Sequence, residues 1–108
     1  MLFNITIKHM EVPDTIKTYA EEKTSKLPRY YDGVNQVDVI IDGKQGVDMG
    51  VEIIARGEHS KIFVIRETGQ DLYKCIDAAV QRLETQITRK KTRERDDKHA
   101  GGAGTELI

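Results

Sequence analysis

Residues 72–87 read Leu-Tyr-Lys-Cys-Ile-Asp-Ala-Ala-Val-Gln-Arg-Leu-Glu-Thr-Gln-Ile. Leu72, Ile76, Ala79, Val80, Leu83 and Ile87 recur at three- and four-residue steps, the spacing of one helical face. This is the strongest periodic signal in the chain, and it predicts a helix of more than four turns that continues into the basic segment after it. Thr68-Gly69-Gln70-Asp71 precedes it and fits a Ser/Thr-x-x-acid start, with Asp71 an alternative cap. Such a stripe needs an apolar surface to lie on.

That surface is supplied upstream. Phe3, Ile5 and Ile7 alternate with Asn4, Thr6 and Lys8, as in a half-buried strand. Val37, Val39 and Ile41 alternate with Asp38, Ile40 and Asp42. After a turn over Gly43–Gly46, Val47, Met49, Val51, Ile53 and Ala55 alternate with Asp48, Gly50, Glu52, Ile54 and Arg56. Gly57-Glu58 reads as a tight turn. Ile62, Phe63, Val64 and Ile65 form a fourth strand whose two faces are equally apolar, so its buried side is open. Between the first two strands, Ile16, Ala20 and Leu27 share a helical side with Thr24, and Asp14 or Thr15 is placed to cap it. Pro28 ends or kinks that helix near Leu27. The expected class is α+β, in the order strand, helix, strand, strand, strand, helix. An antiparallel four-stranded sheet with both helices on one face buries these stripes most economically. Residues 1–95 are expected to form the domain and residues 96–108 a flexible tail.

The 108 residues allow one modest core. No apolar run is long enough to span a membrane, no secretory signal is visible, and the cytosol is the expected address. Net charge is −1, yet its distribution is uneven. Residues 1–81 carry 10 Lys and Arg against 13 acids, whereas residues 82–98 carry 7 against 4. Local asymmetry of this kind is the footprint of a polyanion partner. Helical rotation of about 100° per residue puts Arg82, Arg89 and Arg93 on one flank of the last helix. Tyr19, Lys23, Lys26 and Tyr30 fall on one flank of the first, if that helix persists so far. Facing each other, the two edges would make a positive channel suited to phosphates. Which edges face is left open, and a charge run at a helix end is also what a solvated, dipole-favoured terminus looks like. Tyr19, Tyr30 and above all Tyr31 read as partial core rather than stacking platforms.

Catalytic and metal chemistry find no support. His9, His59 and His99 are far apart and lack ligand spacing. Cys75 has no CxxC partner and reads as a packed thiol. Glu21-Glu22 and Asp96-Asp97 are adjacent on helices and diverge. Gly101, Gly102 and Gly104 do not join a strand to a helix, so they form no phosphate loop. The sequence implies no enzyme, no cofactor, no metal and no small-molecule substrate.

Asn4-Ile5-Thr6 with Glu11-Val12, Lys23-x-x-Lys26-Leu27, Asn35-Gln36-Val37, and above all Gly69-Gln70-Asp71-Leu72-Tyr73 running into Ile76-Asp77 and Arg82-Leu83, resemble one family. This is the ribosome hibernation promoting factors, also called ribosome-associated inhibitor or sigma-54 modulation proteins. The resemblance covers about residues 2–95. It implies a β-α-β-β-β-α fold similar to double-stranded RNA-binding domains. It also implies a partner, the small ribosomal subunit and its RNA. In that family the decoding channel is occupied, messenger and transfer RNA are excluded, and translation stops in stationary phase or stress. Carried over by position, the RNA-binding residues are Lys23, Lys26, Arg82, Arg89, Lys90 and Lys91, with Arg93 added from the flank argument. The chain departs from the family at Thr85, where an Arg is usual, and at Pro28, in a segment usually helical. It resembles a short form without the domain through which long members pair ribosomes, and a monomer in solution is expected. A general structured-RNA binder acting off the ribosome is the alternative. An acylphosphatase-like enzyme lacks its anion loop, since residues 8–12 read Lys-His-Met-Glu-Val. Protein-only regulation of transcription rests on a family name alone.

Overall fold

The computed structural model describes residues 1–30, 33–45 and 48–100, with side chains for all of these except Arg29, Tyr30, Gln45 and residues 90–100. Strand β1 (Leu2–Lys8) leads through helix α1 (Asp14–Thr24) and a short helix α2 (Leu27–Tyr30) to β2 (Val34–Gln45). β3 (Asp48–Gly57), β4 (Ile62–Gly69) and helix α3 (Leu72–Ala100) follow. The four strands form one sheet in the order β1-β2-β3-β4.

The sheet is mixed, which corrects the antiparallel expectation. β1 pairs parallel with β2, with Phe3 opposite Val37 and Ile7 opposite Ile41. The intervening helix carries the chain back to the end where β1 began, so β2 sets out in the same direction. β2–β3 and β3–β4 are antiparallel hairpin pairs. Gly43 lies within β2 rather than in a turn; Gly46 and Val47 fall outside the described residues, as does Tyr31.

The face of β4 is now settled. Phe63 and Ile65 are buried opposite Ala55 and Ile53, whereas Ile62 and Val64 are exposed on the other side. Val37, Val39 and Ile41 of β2 and Val51 and Ile53 of β3 complete the floor. The predicted stripe of α3, from Leu72 to Ile87, is buried over it together with Cys75. Ile16, Ala20 and Leu27 from α1 and α2 close the core.

Pro28 acts as expected. Its missing N–H and its ring leave the Thr24 carbonyl without a helical partner, and α1 stops there. Side-chain hydroxyls tie down the last turn. Thr24 Oγ1 donates to the Ala20 carbonyl at 2.9 Å and Ser25 Oγ to that of Glu22 at 2.7 Å. At the start of α1 neither Asp14 nor Thr15 caps: Pro13 holds the cap position and Asp14 is the first helical residue. α3 is capped by Asp71, whose carboxylate accepts the N–H groups of Tyr73 and Lys74. α3 continues to Ala100, across the first residues of the expected tail, and residues 101–108 lie outside the described residues.

Candidate nucleic-acid interface

α3 lies between α1 on one side and the β4 edge on the other. Its flank toward α1 presents Tyr73 and Asp77. Its flank toward β4 presents Arg82 and Arg89. The two basic edges therefore do not meet in a channel between the helices; they are separated by the width of α3.

On the α1 side, Lys23 Nζ stands 3.7 Å from the Asp77 carboxylate and 5.3 Å from the centroid of the Tyr19 ring. Tyr19 O–H donates to Asp77 at 2.6 Å. That hydrogen bond and the nearby negative charge hold the Tyr19 phenol above its ordinary pKa. Tyr73 packs edge-on against Tyr19, with ring centroids 4.9 Å apart, and its hydroxyl donates to Thr15. Tyr19 is thus half-buried glue between two helices, as its partial-core reading anticipated. Lys26 follows in the turn between α1 and α2, exposed, with no carboxylate partner among the described residues.

On the β4 side, the Arg82 guanidinium pairs with the Glu67 carboxylate and comes within 3.5 Å of the Arg66 carbonyl. Arg82, Arg89, Gln81, Gln86 and Thr85 line an open groove of about 390 Å³ whose apolar floor is Ile65 and Ala78. Thr85 spends its hydroxyl on the Gln81 carbonyl, 3.1 Å away. Arg89 is exposed and, like Lys26, lacks a carboxylate partner among the described residues. The side chains of Lys90, Lys91 and Arg93 lie outside the described residues; their backbones belong to α3.

Elsewhere several cations are ion-paired, although the exposed ammonium groups of Lys8, Lys44 and Lys74 have no carboxylate partner among the described residues. Arg56 pairs with Asp38 at 3.0 Å and Arg66 with Glu52 at 2.8 Å, both on the helix-free face of the sheet, and Lys17 pairs with Asp14 on α1. Asp38 also accepts from Asn4 and Gln36. These bonds hold its carboxyl below the usual range although its partial burial opposes them. Among the described residues no group of three or more His, Cys, Asp or Glu side chains could hold a metal ion. Sequence reading did not single out Gln81 and Gln86, although the rotation that placed Arg82 on this flank places them beside it. It carried no signal for Glu67 and Asp77 as partners, because those pairings cross between elements.

A profile described as sigma 54 modulation protein / S30EA ribosomal protein matches residues 3–95. The chain is 30 % identical over 91 residues to the ribosome hibernation promoting factor of Escherichia coli, covering 84 % of this chain and 94 % of that one. It is 30 % identical over 92 residues to the ribosome hibernation promotion factor of Lactococcus lactis, of which it spans half the length (84 % of this chain, 50 % of the relative). The crystal structure of the N-terminal domain of Thermus thermophilus Protein Y superposes with a TM-score of 0.73 at 33 % identity, over 83 % of this chain and 99 % of that one.

Proposed function

The chain belongs to the sigma 54 modulation protein / S30EA ribosomal protein family, and from that premise we propose that it is a ribosome hibernation factor. It binds the small ribosomal subunit in the decoding channel, occupies the space of messenger and transfer RNA, and stops translation under stress. Lys23, Lys26, Arg82, Arg89, Lys90, Lys91 and Arg93 are the residues assigned to ribosomal RNA. The chain acts in the cytoplasm as a monomeric module of residues 1–95 that performs no chemistry.

One observation carries this reading. The strand arginines of the helix-free face, Arg56 and Arg66, are ion-paired, whereas Lys26 and Arg89, in the helical layer, are exposed without a carboxylate among the described residues, and Arg89 opens the basic run that continues through Lys90, Lys91 and Arg93 of α3. Unpaired cations on rigid elements suit a phosphate backbone, which is read by charge and shape rather than by base edges. Ion-paired Lys23 and Arg82 join by exchanging a carboxylate for a phosphate.

Sucrose-gradient sedimentation with isolated small subunits across a salt series tests the assignment. The triple variant R82E/R89E/K90E is expected to remain folded and to leave the subunit fraction. Undiminished co-sedimentation of that variant would overturn the site. Transfer RNA added to the P site is expected to displace the wild-type protein; simultaneous binding would place it off the decoding channel.

A further inference from the structure

The connection between β3 and β4 is Glu58-His59-Ser60. His59 and Ser60 both have left-handed backbones, with φ of 61° and 63°. Lys61 N–H closes the turn on the Glu58 carbonyl at 3.3 Å. Two consecutive left-handed residues are the type I′ pattern, which strongly favours Asn-Gly or Gly-Gly because a side chain there is strained. Histidine is tolerated there less readily than glycine, and serine is a poor choice. The strain yields nothing inside the fold: both residues are exposed, and neither side chain has a partner among the described residues. The turn is nonetheless firmly mounted. Gly57 N–H bonds the Lys61 carbonyl at 2.8 Å, and Glu58 N–H bonds the Gly33 carbonyl at 3.0 Å. A Cβ at Gly57 would stand 3.1 Å from that same Gly33 oxygen.

Its position in the molecule gives the strain a use. α3 runs antiparallel to β4. Gly69 lies beside Cys75, Glu67 meets Arg82, and Arg89 lines the groove over Ile65. Continuing in that direction, α3 advances toward the His59–Ser60 turn. α2, which begins just after Lys26, packs against β2 and α3 and leads into Gly33. Lys26, Arg89 and the turn therefore share one end of the molecule.

We propose that His59 and Ser60 form a further RNA-contact point, donating their ring N–H and hydroxyl to phosphate or 2′-hydroxyl oxygens of the same RNA that the helical cations hold. Backbone outliers maintained against their local cost concentrate at binding sites, and short rigid donors recognise an RNA backbone without reading sequence. The proposal rests on the reading that the partner is ribosomal RNA.

The test is small-subunit binding and thermal melting of H59G/S60G, which removes both side chains and supplies the residues this turn prefers. The expected result is an unchanged or higher Tm together with binding about tenfold weaker, the loss of two ordinary hydrogen bonds. H59A alone, which leaves Ser60 in place, is expected to bind about threefold more weakly. Wild-type affinity in both variants would overturn this contact while leaving the ribosome reading intact. Failure of the wild-type protein to bind subunits would overturn both.

Discussion

Replacing Arg82 and Arg89 separately by Gln separates a cation that is already neutralised from one that is not. Arg89 has no carboxylate partner among the described residues, so a phosphate that it meets releases a counterion outright. Removing that contact lowers the slope of log affinity against log salt by roughly 0.7–0.9. Between about 50 and 200 mM salt this changes the attenuation of binding by about 2.6- to 3.5-fold. Arg82 differs because a phosphate must first displace Glu67, and the released carboxylate gathers a cation of its own. The slope change for R82Q is therefore expected to be well under half that of R89Q. Melting should show the converse. R82Q loses an ion pair whose arginine side chain is 59 % exposed, about 0–1 kcal/mol, while R89Q should lie within about 0.5 kcal/mol of the wild type. Anisotropy titrations of labelled protein with small subunits at four or five salt concentrations give both slopes. Equal slope changes for the two variants would refute the self-neutralisation argument, and no change for R89Q would refute a phosphate contact there.

Gly43→Ala is expected to destabilise by about 1–3 kcal/mol in urea unfolding. The new methyl would stand 2.8 Å from the His9 carbonyl oxygen and from the Met10 Cβ. Leu83→Ala should cost about 2–5 kcal/mol by the same assay, because that side chain is fully buried at the centre of the core. Tyr19 has a folded-state pKa above its ordinary value near 10 because of Asp77. The stability from this bond is thus fully present below the ordinary value and is lost as pH rises through the higher, folded one. Phenolate absorbance should show Tyr19 titrating at lower pH in D77N than in the wild type; no movement would sever the link to Asp77. Cys75 is buried and its thiol is pushed up mainly by desolvation. It should react with a disulfide reagent only slowly in the native protein and rapidly in denaturant, and fast native reaction would contradict the packing.

Most of the elements were legible in the chain because their periodicities are local. The alternation of Phe3, Ile5 and Ile7 and the stripe from Leu72 to Ile87 each need only one element to be read. What escaped was relational. Both parities of β4 are apolar, so only the sheet could decide that Phe63 and Ile65 go inward. The parallel pairing of β1 follows from the path of a crossover, which no strand pattern encodes. For the candidate site, helical rotation put Arg82 and Arg89 on one flank correctly but could not say which neighbour that flank would meet. The answers, Glu67 for Arg82 and Asp77 for Lys23, lie 15 and 54 positions away in the chain. The left-handed pair at His59 and Ser60 was invisible for the opposite reason: neither position carries the glycine or asparagine that signals such a turn.

The contact of Arg82 with the Arg66 carbonyl has a consequence for the idle protein. β4 is an outer strand, and its unpaired backbone groups form a template onto which another chain could add. A guanidinium set against one of those oxygens, beside a carboxylate that keeps it there, blunts that template with charge. The arginine proposed above to meet RNA thus also places charge along the open edge of the sheet.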